Sequence, residues 1–163
     1  MFYIQLIGIL AFCILVLSFY KKEVVTILLY QITSNFAYSV HYFLLGGLSG
    51  AFCNLIGIIR NIVLIKSDNK KLIIPTFVFL YIIVTIIFYE NVYSLFPVIA
   101  NSCYLISMTY KTKKALLIGS IICSMFWMLY AIFVGSYSGI ITELILIVSN
   151  LIQLIKINNK QVQ

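Results

Sequence analysis

Gly46-Gly47-Leu48-Ser49-Gly50-Ala51-Phe52-Cys53-Asn54-Leu55-Ile56-Gly57-Ile58-Ile59-Arg60-Asn61 is answered 89 residues later by Gly135-Ser136-Tyr137-Ser138-Gly139-Ile140-Ile141-Thr142-Glu143-Leu144-Ile145-Leu146-Ile147-Val148-Ser149-Asn150. Aliphatic coincidences carry little weight in so apolar a chain. The informative ones are Gly46, Ser49, Gly50 and Asn61 against Gly135, Ser138, Gly139 and Asn150. Outward from this core, the same offset aligns residues 3–71 with 92–160 at 15 identities in 69 positions. Ser18, Lys22, Asn69 and Lys71 then meet Ser107, Lys111, Asn158 and Lys160. Residues 1–71 and 92–163 are read as two copies of one unit, and 72–91 as the segment that joins them.

Composition says where such a unit lives. The 163 residues are 63% hydrophobic and only 9% charged, with a mean hydropathy of +1.12, whereas a soluble domain needs far more polar surface. A membrane protein is expected, which excludes a soluble enzyme, a nucleic-acid-binding domain and a disordered tail. Cut at charges and glycines, the apolar runs give seven spans: about 3–19, 24–45, 48–65, 72–88, 92–109, 115–134 and 137–155. Lipid forces each to satisfy its own backbone, and the alternation of a barrel strand is absent, so all are read as helices. The fold class is an all-α membrane protein of seven helices in a 3+1+3 parallel-repeat arrangement, an odd linker span giving both units the same orientation.

The net charge of +7 follows from where the lysines sit, not from a nucleic-acid partner. Lys21 and Lys22, then Lys66, Lys70 and Lys71, then Lys111, Lys113 and Lys114, then Lys156 and Lys160 fall in alternate gaps. The gaps at Gly46-Gly47, Glu90 and Gly135-Ser136 hold no Lys or Arg. The positive-inside rule places the N-terminus outside and the C-terminus in the cytoplasm. Met1-Phe2-Tyr3 opens apolar without a basic region, so no signal peptide is expected. Cys13, Cys53, Cys103 and Cys123 have no metal-ligand spacing and are read as small packing residues.

Polar side chains inside spans are costly, so their placement points to function. On the second span Gln31, Asn35, Tyr38 and His41 share a helical face, and their repeat mates are Ser120, Ser124, Trp127 and Tyr130. Asn54 and Asn61 stack on the third span, as Glu143 and Asn150 do on the seventh. Tyr38, Trp127, Asn54 and Glu143 are expected near one depth, about 10 Å from the outer ends at about 1.5 Å of rise per residue, with Asn61 and Asn150 deeper. Facing each other, these stripes outline a narrow polar pocket with aromatic walls, lined by Tyr38, Asn54, Trp127, Glu143, Asn150, Asn61, Asn35, His41 and Tyr130. His41 is expected to partner Glu143 across the axis or to make a structural hydrogen bond to a backbone carbonyl, and Arg60 to snorkel to cytoplasmic headgroups. Pro75 and Pro97 are expected to kink spans four and five, Pro97 as a hinge.

Trp127-x-x-Tyr130, the turn at Gly135 and Glu143 sixteen residues after the tryptophan resemble the second-helix motif, short turn and pocket Asn of the SWEET and SemiSWEET sugar transporters; here an acid takes the Asn position, and its mate is Asn54. That resemblance implies a sugar-sized pocket and rocking of one repeat against the other. His41-Tyr42-Phe43-Leu44-Leu45-Gly46, Arg60, Pro97-Val98-Ile99, Trp127, Gly135-Ser136, Gly139, Glu143 and Asn150 resemble, over nearly the whole chain, the YgjV-type bacterial inner membrane proteins. This implies a multi-pass protein of the bacterial inner (plasma) membrane.

The expected function is a transporter moving a small polar or cationic metabolite by alternating access. The alternative is a non-transporting receptor or interaction subunit that holds a peptide or lipid in the same cavity. No Ser/His/Asp set, metal-ligand cluster or phosphate loop is present, so no enzyme chemistry, metal or cofactor is expected. The expected partners are a small-molecule substrate and the lipid bilayer, with no nucleic acid; homo-oligomerisation stays open.

Overall fold

Gly46 at φ 83° and Gly135 at φ 75° adopt the left-handed conformation at matched places in the repeat. Each ends a helix and turns the chain into the next, and the turns close with matched bonds. Gly46 N–H donates to Phe43 O at 3.0 Å and Gly135 N–H to Ile132 O at 3.3 Å; Gly47 N–H donates to Tyr42 O at 2.9 Å and Ser136 N–H to Ala131 O at 2.8 Å. A residue with a Cβ is strained at that φ, which explains glycine at both.

The computed structural model describes residues 2–21, 23–67, 69–107, 110 and 112–161, where seven α-helices are found: α1 (Phe2–Phe19), α2 (Val24–Leu44), α3 (Leu48–Lys66), α4 (Lys70–Ile87), α5 (Phe96–Ser107), α6 (Lys113–Val134) and α7 (Tyr137–Gln161). Lys22 and Lys111, two of the bases used for orientation, lie outside the described residues, as do the side chains of Lys70, Asn158 and Lys160. Three helical stretches are long and apolar enough to cross a membrane: Leu48–Lys66, Lys113–Val134 and Tyr137–Ile157. Phe2–Ser18, Lys71–Ile87 and Val92–Ser107 are apolar but shorter. In α2 the polar residues between Gln31 and His41 dilute the apolar content.

The expectation that Pro97 kinks its span is corrected. The fifth span opens with a 3-10 turn (Val92–Leu95), and Pro97 is the second residue of α5. Its missing N–H there costs no helical bond, so no kink is needed. Helix α4 runs through Pro75 without interruption.

Helix α2 packs along both α1 and α3, and α6 along both α5 and α7, while α4 touches α3 and α5. Between the two sets α1 packs on α7 and α3 on α5, contacts that exchange when α1–α3 is matched to α5–α7. Side-chain bonds repeat at the same offset. Ser18 donates to Leu15 O and Ser107 to Tyr104 O, both at 2.6 Å; Asn61 donates to Gln31 at 3.4 Å and Asn150 to Ser120 at 2.8 Å.

The burial pattern is that of a protein in hydrocarbon. Phe2, Leu72, Phe79, Ile86, Val92 and Phe133 are among many exposed apolar side chains, whereas Ser34, His41, Ser49, Asn61, Ser136 and Thr142 are almost fully enclosed. Polar groups inside find partners and apolar groups outside meet lipid, so the usual arrangement is turned over.

At Gly46 and Gly135 an added Cβ meets nothing within 4 Å, so alanine there tests the backbone alone. Gly46→Ala and Gly135→Ala should each destabilise by about 1–2 kcal/mol, the cost of a left-handed L-residue. Thermal unfolding in detergent checks this, with asparagine expected to recover part of the loss.

Candidate functional site

A cavity of about 180 Å³ lies between the two helix sets and is lined from α1, α2, α3, α5, α6 and α7. Fourteen of its eighteen lining residues form seven pairs separated by 89 positions: Leu15 and Tyr104, Gln31 and Ser120, Ser34 and Cys123, Asn35 and Ser124, Tyr38 and Trp127, Asn54 and Glu143, Gly57 and Leu146. The unpaired four are Tyr42, Cys53, Arg60 and Asn101. Both copies therefore present the same face to one space.

The aromatic wall is continuous. Tyr38 stacks on Tyr42 at 6.2 Å between ring centroids, and Tyr42 on Trp127 at 5.6 Å. Tyr38 is tied at its hydroxyl, which donates to Thr142 Oγ1 at 2.9 Å, and Thr142 in turn donates to Ser138 O at 2.8 Å. Tyr42 is thus sandwiched and 2% exposed, which leaves Tyr38 and Trp127 as the outer rings of the row.

The polar groups come from the facing helices. Asn54 donates to Gly50 O one turn back at 2.9 Å, keeping its carbonyl oxygen as an acceptor, and Asn101 does the same toward Pro97 O at 2.9 Å. Gly57 makes room for the Asn35 amide, since a Cβ there would come within 2.8 Å of Nδ2. Ser124 and Glu143 line the cavity together.

Arg60 departs from its expected place. It does not snorkel to headgroups; it is 8% exposed and lines the cavity. Asn61 Oδ1 accepts from Nε at 3.1 Å and Nη2 at 3.0 Å, and Tyr81 on α4 accepts from Nη1 at 3.5 Å. Those acceptors replace water for the guanidinium, which is what burying it requires.

Of the residues expected in the pocket, Tyr38, Asn54, Trp127, Glu143 and Asn35 come together around the cavity. Asn61 and Asn150 do not line it. They stand one layer behind, where Asn61 holds Arg60 and Gln31, and Asn150 holds Ser120.

His41 is fully buried and is not the partner of Glu143. Its Nδ1 lies 2.8 Å from the Ile4 carbonyl, and its Nε2 2.7 Å from Ser136 Oγ and 3.4 Å from Ser138 Oγ. Since a carbonyl only accepts, Nδ1 carries the proton, and the ring ties α2 to α1 and α7.

Tyr130 also proves to be a helix cap. Its hydroxyl accepts from the Gly50 N–H at 2.9 Å and from Ser49 at 3.2 Å, in the first turn of α3. In the other copy Ser136 Oγ accepts from Gly139 N–H at 3.0 Å, as an ordinary N-cap. Gly47 stands at the matching place and has no hydroxyl. A Cβ on Gly47 would lie 2.5 Å from the Tyr130 oxygen, so the missing side chain both removes the cap and admits its substitute.

Tyr42, Arg60, Asn101 and Tyr104 are cavity residues that pattern reading missed, and Cys53 and Cys123 line the wall as well. Tyr42 follows Tyr38 by four positions, a helical spacing that was available in the sequence. Asn101 and Tyr104 are three apart on the fifth span, with Tyr104 matching the apolar Leu15.

The chain matches, over residues 2–161, the family described as bacterial inner membrane protein, Imp-YgjV, and it belongs to that family. No curated protein and no solved structure matches it.

Tyr130→Phe should destabilise by about 1–3 kcal/mol, because the buried Gly50 N–H loses its acceptor. Gly47→Ser alone should also destabilise, through collision with the tyrosine oxygen. In the double variant the serine caps α3 itself, so the combined loss should be smaller than the sum; additive losses in thermal unfolding would refute the capping account.

Proposed function

We propose that this member of the bacterial inner membrane Imp-YgjV family is a multi-pass transporter that moves a small polar or cationic metabolite by alternating access. In this reading the chain is built as 3+1+3, with α1–α3 and α5–α7 as like-facing units similar to those of SWEET transporters and α4 as the single crossing between them. The N-terminus lies outside and the C-terminus in the cytoplasm. Tyr38 and Trp127 are the walls, Asn54 and Asn35 the hydrogen-bonding groups, and Glu143 the determinant of charge. The carrying observation is the cavity lining, in which seven pairs of repeat mates face one partly open space. A buried seam would satisfy its polar groups across a closed contact, whereas this one keeps a space of about 180 Å³.

The hydrogen bonds suggest how access alternates. Among the described residues, those that cross between units gather toward the lysine-free end. Gln5 donates to Gly135 O at 3.0 Å and accepts from Ser138 at 3.1 Å; His41 meets Ser136, Tyr38 meets Thr142, and Tyr130 meets Ser49 and Gly50. Toward the lysine end the matched bonds, Asn61 with Gln31 and Asn150 with Ser120, stay within a unit. The outer end is therefore latched between units, while the hydrogen bonds described toward the inner end lie within a unit. Rocking the units breaks the outer latch and opens the other side.

Uptake into proteoliposomes across a panel of sugars, polyols, amines and amino acids tests the reading. The chain should move at least one solute. Glu143→Gln and Trp127→Ala should each lower its rate by about tenfold, equivalent to roughly 1.4 kcal/mol. If no solute crosses, or both variants match the parent, the transport reading falls and a ligand-holding receptor takes its place.

A further inference from the structure

The cavity's two charge-bearing side chains come from different units, Arg60 from α3 and Glu143 from α7. Neither has a charged mate: Arg60 corresponds to Ser149 and Glu143 to Asn54. The repeat is thus broken at two places by opposite charge. Asn54 lines the same cavity as Glu143 without a charge, whereas Ser149 is exposed where Arg60 is buried.

The two groups are also held apart and held ready. Arg60 lies six residues beyond Asn54 on α3, and Asn54 is the mate of Glu143, so the two levels differ by about 9 Å of helix rise. Asn61 and Tyr81 engage the guanidinium through three of its N–H contacts, all to neutral acceptors. The remaining N–H groups suit a carboxylate, which guanidinium recognises with fixed geometry. At the other level Glu143 lines the cavity with Asn54 and Trp127, a combination that suits an ammonium through charge, an amide oxygen and cation–π attraction. A solute with one charge would compensate one of these groups and leave the other buried opposite nothing.

We propose that the cavity takes a zwitterion, its carboxylate on Arg60 and its ammonium between Glu143 and the Trp127 ring. The assignment rests on the cavity being the substrate site of the transporter reading. It narrows that reading from polar or cationic solutes in general to small molecules that carry both charges. Asn61 acts here as a positioning residue, because it fixes the guanidinium without reaching the cavity.

Matched probes test it on the purified full-length chain, by calorimetric binding and by proteoliposome uptake. Glycine betaine is set against choline, and γ-aminobutyrate against butylamine and butyrate, with glucose as the neutral control. At least one zwitterion should bind tenfold or more tightly than the singly charged probes of its own skeleton. Arg60→Gln should erase that preference in favour of the cation, Glu143→Gln should shift it toward the anion, and Arg60→Lys should fall between parent and Arg60→Gln, each variant being checked for a monodisperse gel-filtration profile. Tighter binding of a cation or of glucose than of every zwitterion, an unchanged zwitterion preference in both neutralised variants, or binding of none of the probes would overturn the assignment. Zwitterion binding without uptake would uphold the site and remove transport, whereas uptake of a cation or sugar with the zwitterions ignored would uphold transport and remove the charge assignment.

Discussion

Hydrocarbon offers no hydrogen bond to an unsatisfied group, and most of the architecture follows from that constraint. The helices satisfy their own interiors, but the first N–H groups of each and every polar side chain need partners supplied by another element. Those partners are found inward. Ser34 reaches the Ala11 carbonyl at 2.8 Å, His41 joins three helices, and the first turns of α3 and α7 are capped by Tyr130 and Ser136. The outer surface is left to Phe, Leu, Ile and Val. The same demand gathers polar groups such as Gln31, Asn35, Asn54, Arg60 and Glu143 around the cavity.

The two halves repeat in sequence and in several local bonds, and they differ at a few places. Where the copies agree, at the two left-handed glycines, the paired Ser18 and Ser107 bonds and the Asn61 and Asn150 bonds, the residues build the unit. Where they differ, the difference has a local account. Gly47 in place of Ser136 requires a borrowed hydroxyl, which explains why Tyr130 occupies the place of His41 in its own copy. Asn54 against Glu143 and Ser149 against Arg60 set opposite charges on opposite sides of one space.

Helix number, most helix limits to within a few residues, the turns and much of the cavity wall were legible from periodicity and self-comparison, whereas α7 runs six residues past its expected end. Tyr38, Asn35, Asn54, Trp127 and Glu143 share faces at spacings of three, four or seven, or are repeat mates, and those relations survive folding. The exceptions share a cause. Arg60, His41, Tyr130, Asn61 and Asn150 have places decided by partners distant in sequence: Tyr81, Ile4, Gly50, Gln31 and Ser120. A helical wheel shows which face a side chain leaves from, but not which acceptor waits across the interface. A lone arginine near a helix end defaults to snorkelling unless an Asn next to it and a Tyr on another helix are known to be turned toward it.

The central claim is that equivalent faces of the two units meet around one aqueous space. With the native cysteines replaced, single cysteines at Asn54 and Glu143 can be compared with cysteines at Ile59 and Leu144, whose side chains are exposed on the outer surface. A small water-soluble thiol reagent applied in membranes should modify positions 54 and 143 and spare 59 and 144. Modification of the outer pair with the inner pair left untouched would contradict the account.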